Sequence, residues 1–239
     1  MDARMWKFFL NQVFQPSWWG VFITPFFLIR RPLFVEIRKL APSCRGLLLD
    51  FGCGRKPYAS LFQVERYVGV DVASSGHDHT RSQIDVVYDG KTLPFANDYF
   101  DSLVTFEVLE HIFNPQEILT EVNRVMKPGA SMIMTVPFCW NEHEIPYDYA
   151  RYSSYGLRHL LQKCGFEVIS LKKTGNHVQV ITQLLILYLF ELFKPLKVPG
   201  YALTMLFAIP LTLSGLFLSL LLPRDKKLYF NNVVFAKKR

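Results

Sequence analysis

Short apolar runs recur through the middle of the chain, and most of them end near an acidic residue or a glycine. Residues 47–49 are three leucines, followed at once by Asp50 and by the glycines Gly52 and Gly54. Continuous apolar runs of about four to eight residues are typical of strands covered on both faces of a parallel sheet. Further runs of this kind lie at residues 67–70, 86–88, 100–106, 131–136, 166–171 and 228–236.

Helical periodicity separates several of these runs. Apolar residues recur three and four positions apart after residues 114–115, and a Lys-Pro-Gly sequence at residues 127–129 ends that helix. A second helix is predicted at residues 154–164, a short one at residues 33–40, and another beginning near Pro57, because proline favours the first turn of a helix. Strands that alternate with helices predict an α/β domain built on a parallel sheet.

The remaining apolar residues are concentrated before residue 30 and between residues 178 and 222. Crossing a bilayer takes about 17–25 apolar residues. The uncharged run at residues 16–29 is shorter and is interrupted by proline and glycine. We therefore predict that residues 1–40 form an aromatic-rich segment at a membrane interface, a depth that tryptophan favours.

The second apolar region contains one run long enough to cross, residues 201–222, and one too short, residues 178–190. Lys194 and Lys197 lie between them, and a lysine at the centre of a bilayer costs about 2.5–3.5 kcal/mol. We therefore predict a monotopic arrangement, with apolar helices in one leaflet and the lysines at the headgroups. Two alternatives remain: a hairpin of two membrane-spanning helices, and an apolar interface that joins copies of the chain in a homo-oligomer.

Composition and charge agree with membrane lipids as a partner. Half of the residues are hydrophobic and the formal net charge is +7 at pH 7. Many of the positive residues flank the apolar regions, which favours attraction to anionic headgroups. No basic stripe crosses the central segment, so we expect no nucleic-acid partner. These features predict a membrane-associated protein at the cytoplasmic face.

Cysteines and histidines give no metal-binding pattern. The four cysteines are scattered, and residues 77–79, His-Asp-His, follow a turn sequence. We expect free thiols, a reducing compartment, a solvated loop at residues 77–79 and no metal ligands. The N-terminus lacks the compact apolar core and cleavage site of a secretory signal.

The corner formed by Asp50, Gly52 and Gly54 has the character of a ligand site. Dinucleotide-binding loops carry a third glycine and place a pyrophosphate on the next helix. Here that third position is Pro57, and the Asp50 carboxylate would repel a pyrophosphate. A carboxylate suits a ligand with ammonium and sulfonium groups, such as S-adenosylmethionine (SAM). Asp71, about 20 residues further on, could accept hydrogen bonds from both ribose hydroxyls.

Later motifs occur in the order and spacing of a known family. They are Leu-Pro-Phe at residues 93–95, Phe-Asp at 100–101, Val-Leu-Glu-His-Ile at 108–112 and Arg-Val-Met-Lys-Pro-Gly at 124–129. With the glycine corner they resemble the successive motifs of class I SAM-dependent methyltransferases, type 11 in particular, over roughly residues 46–170. The resemblance implies a Rossmann-like α/β fold with seven strands, mostly parallel with the last antiparallel, and SAM as the cofactor.

The resemblance also implies roles for individual residues. Asp50, Gly52 and Gly54 would line the methionine part of SAM, and Asp71 would hold the ribose. The same family pattern adds Asp89 facing the adenine amino group, Gly90 beside it and Glu107 just past the fourth strand. His111 would be either a base or a partner in a structural hydrogen bond.

Residues 137–152, after the fifth strand, are dense in acids, histidine and aromatic side chains. Methyl transfer to a hydroxyl needs a base, because a neutral hydroxyl is a poor nucleophile. His143 has the best unperturbed pKa for this task, and Glu142, Glu144 and Asp148 could orient its imidazole or bind a polyol. The tyrosines offer flat faces suited to sugar rings. Alternatively, the loop only covers the cofactor. It resembles, more weakly, methyltransferases associated with bacterial surface-glycan assembly.

In the class I fold the last strand lies beside the sixth, so the second apolar region is predicted to be an insertion in the final hairpin. We predict four segments: the interfacial residues 1–40, a SAM-binding core at 41–177, the apolar insertion at 178–227, and a closing strand with a basic tail at 228–239.

The sequence thus predicts a SAM-dependent methyltransferase that methylates a sugar hydroxyl of a lipid-linked glycan or glycolipid. A membrane lipid or a quinone ring is the alternative acceptor. Two other classes remain open: a nicotinamide-dependent oxidoreductase, and a membrane-anchored module that binds SAM without catalysis.

Overall fold

The structure is a computed structural model that describes residues 11–73 and 82–239. The chain divides into two compact units: Ile37–Lys172 with Asn232–Arg239, and Met1–Glu36 with Lys173–Asn231. The first ten residues and the loop at residues 77–79 lie outside the described residues. Our predictions for those two stretches therefore stay predictions.

The first unit is built on a seven-stranded sheet whose order is β3-β2-β1-β4-β5-β7-β6. The sheet is mostly parallel and its last strand is antiparallel, which confirms the predicted Rossmann-like fold. The strands are β1 (Leu47–Phe51), β2 (Arg66–Val72), β3 (Val86–Tyr88), β4 (Phe100–Phe106), β5 (Met126–Pro137), β6 (Phe166–Lys173) and β7 (Asn231–Lys238).

The central strands are apolar because they are covered on both faces. Leu48, Leu49, Phe100, Leu103 and Val104 are completely buried, and burying each such side chain contributes about 1.5–3 kcal/mol. Asp50 lies within this apolar run, at the carboxyl end of β1, and is also buried.

Three helices follow the sequence signals to different degrees. The helix α1 is Phe27–Leu40, α2 is Pro115–Val125 and α3 is Ser154–Lys163. The helix α2 buries its predicted apolar face, and Ser153 caps α3 by accepting a hydrogen bond from the Gly156 N–H. The prediction that a helix begins at residue 33 was wrong, because α1 starts six residues earlier and runs through Pro32.

The helix predicted near Pro57 is not formed; the structure has only a short 3-10 turn at Ala59–Leu61. Lys56 adopts a left-handed conformation, with φ 50°, and its N–H donates to the Cys53 carbonyl. This tight turn just before Pro57 leads the chain into a short turn and then directly to β2.

The second unit contains two long helices, α4 (His177–Phe193) and α5 (Val198–Leu221), joined through a 3-10 turn at Lys194–Leu196. At one end Gln179 Nε2 lies 3.5 Å from Ser219 Oγ, and near the other the rings of Phe193 and Phe207 are 6.1 Å apart. The two helices therefore pack antiparallel.

The helix α5 buries small residues and α4 buries larger ones such as Ile186 and Leu187, and both helices expose large apolar side chains. A Cβ added at Gly215 would lie 2.7 Å from Thr182 Oγ1, so the helices touch closely there. Leu206, Phe217 and Leu220 on α5 are 60–68 % exposed. The buried positions of α5 are Gly200, Thr204, Ala208, Thr212, Gly215 and Ser219.

Two helical stretches are long and apolar enough to cross a bilayer, His177–Leu196 and Val198–Leu221, with mean hydropathy of 1.3 and 2.0. The prediction that the first was too short was wrong, because the helix extends to both sides of the uncharged run and continues into the 3-10 turn. Length and composition alone are weak evidence of membrane insertion, since core helices of soluble proteins also meet this criterion.

Candidate active site

A cavity of about 430 Å³ opens at the carboxyl ends of β1 to β4, the edge where ligands bind in open α/β sheets. Its wall combines residues from the strand ends with residues of the loop at 137–152. Of the predicted site residues, it is lined by Gly52, Asp71, Gly90, Glu107, His111 and Glu144.

The glycine loop after β1 is shaped by close contacts. Gly52 has φ 71°, and a Cβ there would lie 2.4 Å from a methyl carbon of Val108. Gly54 is also left-handed, and its N–H donates a 2.9 Å hydrogen bond to Asp71 Oδ2. The other carboxylate oxygen of Asp71 accepts from the Val72 N–H at 2.8 Å. Asp71 thus fastens the loop to the end of β2 while lining the cavity.

Asp50 immediately precedes Phe51 and Gly52, which line the cavity, but Asp50 itself does not line it. Its Oδ2 accepts a 2.6 Å hydrogen bond from the Tyr67 hydroxyl. Burial raises the pKa of Asp50 to about 7, although the Tyr67 hydrogen bond and Lys56 oppose the rise. Near neutral pH the protonated and ionised forms of Asp50 are therefore present in similar amounts.

Glu107 follows β4 in a conformation that is rare for its residue type. Its φ is 56°, and its N–H donates to the Thr135 carbonyl at 3.0 Å. A left-handed non-glycine residue costs about 1–3 kcal/mol, and such residues cluster at functional sites. The conformation brings Glu107 to the cavity wall.

Asp89 is an exposed turn residue. Its Oδ1 accepts hydrogen bonds from the N–H groups of Lys91 and Thr92, which lower its pKa. Gly90, with φ 82°, lines the cavity, whereas Asp89 does not. The predicted contact of Asp89 with adenine stays a prediction.

The loop at residues 137–152 is held by an ion pair. Arg151 donates hydrogen bonds of 2.5 and 2.6 Å to the two oxygens of Asp148. Burial would raise the pKa of Asp148, but these bonds and one from the His143 N–H hold it at about 2. Asp148 therefore orients the loop and does not line the cavity.

The two candidate bases occupy different places. The ring centroids of His111 and His143 are 4.7 Å apart, in an edge-to-face arrangement. His111 lines the cavity with Glu144, whereas His143 and Glu142 do not. Burial and the neighbouring His111 lower the pKa of His143.

Hydrogen bonding fixes the orientation of the His111 ring. Its Nδ1 lies 2.8 Å from the Tyr147 carbonyl oxygen, an acceptor, so Nδ1 is assigned the proton. Its Nε2 then carries the lone pair, and lies 3.8 Å from Glu110 Oε1 and 3.9 Å from Glu144 Oε2. His111 is therefore the imidazole available to a molecule in the cavity.

Glu110 is a site residue that the sequence analysis missed. It is completely buried, and neither carboxylate oxygen has a hydrogen-bond partner among the described residues. Burial and the neighbouring Glu107 raise its pKa well above the ordinary value. Its backbone carbonyl accepts from Tyr149 and so ties the loop to this turn. Its position beside His111 was the only sequence signal.

The cavity also contains Tyr147 and Tyr149, two of the loop tyrosines expected to suit sugar rings, and residues to which the sequence analysis gave no role in the site, such as Phe113 and Lys91. Two of its aromatic rings, Phe113 and Tyr149, pack edge to face at 5.3 Å. The lining further includes Tyr88, Asn114 and Glu117. Tyr88 ends β3 and Lys91 follows it closely, so the strand prediction could have found these two.

Residues 49–134 match a family described as a methyltransferase domain. A protein of Mycolicibacterium smegmatis named "probable S-adenosylmethionine-dependent methyltransferase" is 27 % identical over 147 residues, which cover 56 % of this chain and 57 % of that one. An uncharacterised methyltransferase of Mycolicibacterium vanbaalenii is 32 % identical over 96 residues, or 37 % of this chain and 38 % of the relative. The chain thus spans about half the length of these relatives or less.

Solved structures share the fold at low sequence identity. Phosphoethanolamine N-methyltransferase 2 of Haemonchus contortus, in complex with SAM, has a TM-score of 0.56 at 16 % identity, over 96 % of this chain and 59 % of that one. A SAM-dependent methyltransferase of Mesorhizobium loti has a TM-score of 0.52 at 11 % identity, over 88 % and 100 %. The [4+2]-cyclase SpnF has 0.53 at 16 % identity, over 87 % and 82 %, so this fold also supports other chemistry.

The matched segment contains the carboxyl end of β1, the glycine loop, and the strands β2, β3 and β4, and it therefore forms most of the cavity wall. Residues 49–134 are thus similar to a methyltransferase domain, and this similarity indicates S-adenosyl-L-methionine as the cofactor.

Proposed function

We propose that the protein is a SAM-dependent methyltransferase that acts on a hydroxyl of a lipid-linked glycan or glycolipid. One observation carries this proposal: a single cavity joins the glycine loop and Asp71 to a second end lined by His111, Glu144 and two tyrosines. The first end suits the cofactor and the second suits a polar, ring-shaped acceptor.

At the cofactor end, Asp71 would accept hydrogen bonds from the ribose hydroxyls, since each carboxylate oxygen retains a free acceptor site. Gly52 and Gly54 let the backbone approach the methionine part closely. The nearby Asp50 and Glu107 supply negative charge for the sulfonium and ammonium groups. A pyrophosphate would be repelled here, which argues against the nicotinamide-dependent alternative.

At the acceptor end, Tyr147 and Tyr149 are 43 % and 44 % exposed. Half-exposed tyrosines can pack a ring face against a sugar while the hydroxyl remains hydrated. Glu144 offers carboxylate oxygens to sugar hydroxyls. This combination favours a sugar over the apolar ring of a quinone.

The reaction would be an in-line displacement. The acceptor oxygen bonds to the methyl carbon as the carbon–sulfur bond breaks, and that electron pair returns to sulfur to give S-adenosylhomocysteine. The hydroxyl proton passes to the lone pair on Nε2 of His111, which lies 3.9 Å from Glu144 Oε2. Because His111 lines the cavity and His143 does not, we assign the base to His111 in place of His143, the base favoured from the sequence. Holding the two reactants in one cavity supplies much of the rate.

The hairpin of α4 and α5 supports membrane attachment. Soluble helices bury their leucines, whereas α5 packs through small residues and exposes leucine and phenylalanine, the pattern of helices packed in lipid. The large exposed side chains of α5 are apolar along its length, which favours the membrane-inserted hairpin over the monotopic arrangement. The cytoplasmic face follows from SAM being an intracellular cofactor.

Three measurements test the proposal. Calorimetric titration should give SAM binding and no NAD binding, and Asp71→Asn should weaken SAM. Mass spectrometry of lipid extracts incubated with SAM should show a glycolipid heavier by one methylene. A quinone or phospholipid product would establish the alternative acceptor, NAD binding without SAM binding would overturn the enzyme class, and SAM binding without any product would indicate a non-catalytic module.

Insertion is tested separately. The variant Lys197→Cys, in sealed vesicles, should react with a membrane-impermeant maleimide only on the side opposite the SAM-binding unit if the hairpin crosses. Reaction on the same side would restore the monotopic arrangement. The unsubstituted chain, with four cysteines of which three are buried, is the control for background labelling.

A further inference from the structure

We propose that Glu110, His111 and His143 bind a divalent transition-metal cation. One oxygen or nitrogen atom from each side chain lies within 4.8 Å of the others. The three residues come from two different segments, the turn after β4 and the loop after β5, so folding creates the cluster. This departs from the sequence-based expectation that the chain has no metal ligands.

The strongest support is the state of the Glu110 carboxylate. It is completely buried, and neither oxygen accepts a hydrogen bond from any described residue. Buried carboxylates are normally paired, neutralised or bound to a metal, because removing an unpaired charge from water carries a large free-energy penalty. A cation at this position would satisfy both oxygens at once.

The surroundings of His111 Nε2 point the same way. This nitrogen lies 3.8 Å from Glu110 Oε1 and 3.9 Å from Glu144 Oε2. These distances exceed a hydrogen bond. Two ligand atoms that each lie about 2.0–2.2 Å from one tetrahedral cation are separated by about 3.3–3.6 Å. The pair of Glu110 and His111 therefore needs to close by a few tenths of an ångström, and the other pairs of the cluster, all within 4.8 Å, by at most about 1.5 Å.

Contacts behind the ligands resemble those of metal-binding histidines, which donate their other ring N–H to a carbonyl or carboxylate. His111 Nδ1 lies 2.8 Å from the Tyr147 carbonyl. His143 Nδ1 lies 3.2 Å from Asp148 Oδ2, and Arg151 holds that carboxylate in place. Both Nε2 atoms are thereby left with lone pairs.

The ligand set narrows the choice of metal. Two imidazoles and one carboxylate form the set of several catalytic zinc sites, which keep a further position open for water or substrate. Imidazole also suits iron and nickel, whereas magnesium and calcium prefer oxygen ligands. We expect the site to bind zinc, and cobalt(II) can replace zinc in a spectroscopic assay.

The site would also explain how the acceptor loses its proton; this role, unlike the binding itself, rests on the proposed function. An acceptor hydroxyl on the open position would have its pKa lowered by the cation. Its oxygen then attacks the methyl carbon, the carbon–sulfur pair returns to sulfur, and the proton passes to Glu144 or to water. His111 would then act as a ligand, and the proton acceptor would be Glu144 or water.

The test uses the full chain after chelation with EDTA and dialysis. Titration with cobalt(II) should give a visible absorption with the intensity of tetrahedral cobalt, and this absorption should saturate at one equivalent of cobalt per chain. Zinc should displace the cobalt. Glu110→Gln, which keeps the shape of the side chain, and His143→Ala should each weaken cobalt binding at least tenfold. His159→Ala removes an exposed histidine elsewhere and should bind normally.

The outcomes separate the two proposals. If cobalt shows only its aqueous spectrum, or if His159→Ala weakens binding as much as His143→Ala, the metal site is wrong. If SAM binds and methyl transfer persists at full rate after chelation, the role of the metal in proton loss is wrong, while the proposed function stands and the cobalt titration alone decides the site. If cobalt binds at one equivalent but SAM does not bind, the proposed function fails and the site remains.

Discussion

The hydroxyl of Tyr67 donates a 2.6 Å hydrogen bond to a carboxylate oxygen of Asp50, beneath the glycine loop. Tyr67 lies on β2 and Asp50 on the adjacent β1, so the bond links neighbouring strands directly below the predicted cofactor. It stabilises the charged form of a buried acid whose pKa burial has raised to about 7. The charge state of the site is therefore adjustable near physiological pH.

We expect SAM affinity to rise with pH. A cationic ligand favours ionised Asp50, so below pH 7 the affinity should increase about tenfold per pH unit and then level off. Asp50→Asn should weaken SAM and abolish the slope. Tyr67→Phe should move the midpoint upward, because it removes the hydrogen bond to the charged form. Calorimetry between pH 5.5 and 8 measures all three, and a wild-type affinity that is constant over this range would contradict the prediction.

The raised pKa of the Asp50 carboxyl also predicts how the free energy of unfolding depends on pH in the absence of SAM. The folded pKa of Asp50 lies above the unfolded value of about 4, so the folded state holds its proton more tightly. Its contribution to the free energy of unfolding is complete below pH 4 and is lost as the pH rises through 7. Urea unfolding of wild type and Asp50→Asn, compared between pH 5 and 8, should show this loss in the wild type alone.

Gly52→Ala should be much more harmful than Gly129→Ala. Both glycines are left-handed, with φ 71° and 76°, which costs an alanine about 1–2 kcal/mol. A Cβ at Gly52 also meets Val108 at 2.4 Å, whereas at Gly129 nothing lies within 4 Å. The overpacking should add about 1–3 kcal/mol. Urea midpoints measure the difference, and equal destabilisation would show that Val108 moves freely.

Arg151→Met should destabilise the protein by about 3 kcal/mol at pH 7, because it leaves the Asp148 carboxylate, only 4 % exposed, without its partner. The pair holds the pKa of Asp148 at about 2, so its contribution is present above pH 4 and is lost as the pH falls through 2. In the variant Asp148 can protonate, so the deficit should shrink toward pH 3. A deficit that is the same at both pH values would assign the effect to lost packing.

The exposed apolar side chains of α5 predict that the protein binds to lipid vesicles. Replacing Leu206, Phe217 and Leu220 together by glutamine should release the protein from sedimenting anionic vesicles while SAM affinity is unchanged. Val87→Gln is the matched control, since Val87 is also exposed, at 56 %, but belongs to the other unit. Retained sedimentation of the triple variant would refute attachment through the hairpin.

The sheet was predictable because its signals are local. Apolar runs such as residues 47–49 and 100–106 carry their own burial pattern, and the spacing around Ile118 and Val122 marks a helix independently of its neighbours. The absent helix after Pro57 depended on the backbone conformation of Lys56, to which proline's preference for a first helical turn gives no guide. Local propensity yields to such geometry.

The site was less predictable because its contacts are not local. His143 had the right chemistry, but only the folded loop shows that His111 occupies the cavity wall. Glu110 reads as an ordinary position in a family motif, and its isolation from hydrogen-bond donors is a property of three-dimensional packing. The antiparallel pairing of α4 with α5 likewise makes Gly215 a close contact with Thr182, which the sequence of either helix alone does not indicate.

Asp71 holds Gly54 with one oxygen and the Val72 N–H with the other before any nucleoside arrives. The loop and Asp71, the proposed ribose acceptor, are therefore held together by hydrogen bonds and are oriented before the ligand binds, so binding need not order them. A substitution of Asp71 would loosen the loop and would also remove a hydrogen-bond acceptor for the ribose. Both effects would lower the affinity for SAM. A nucleoside analogue that lacks the ribose hydroxyls would isolate the second contribution in the unaltered chain.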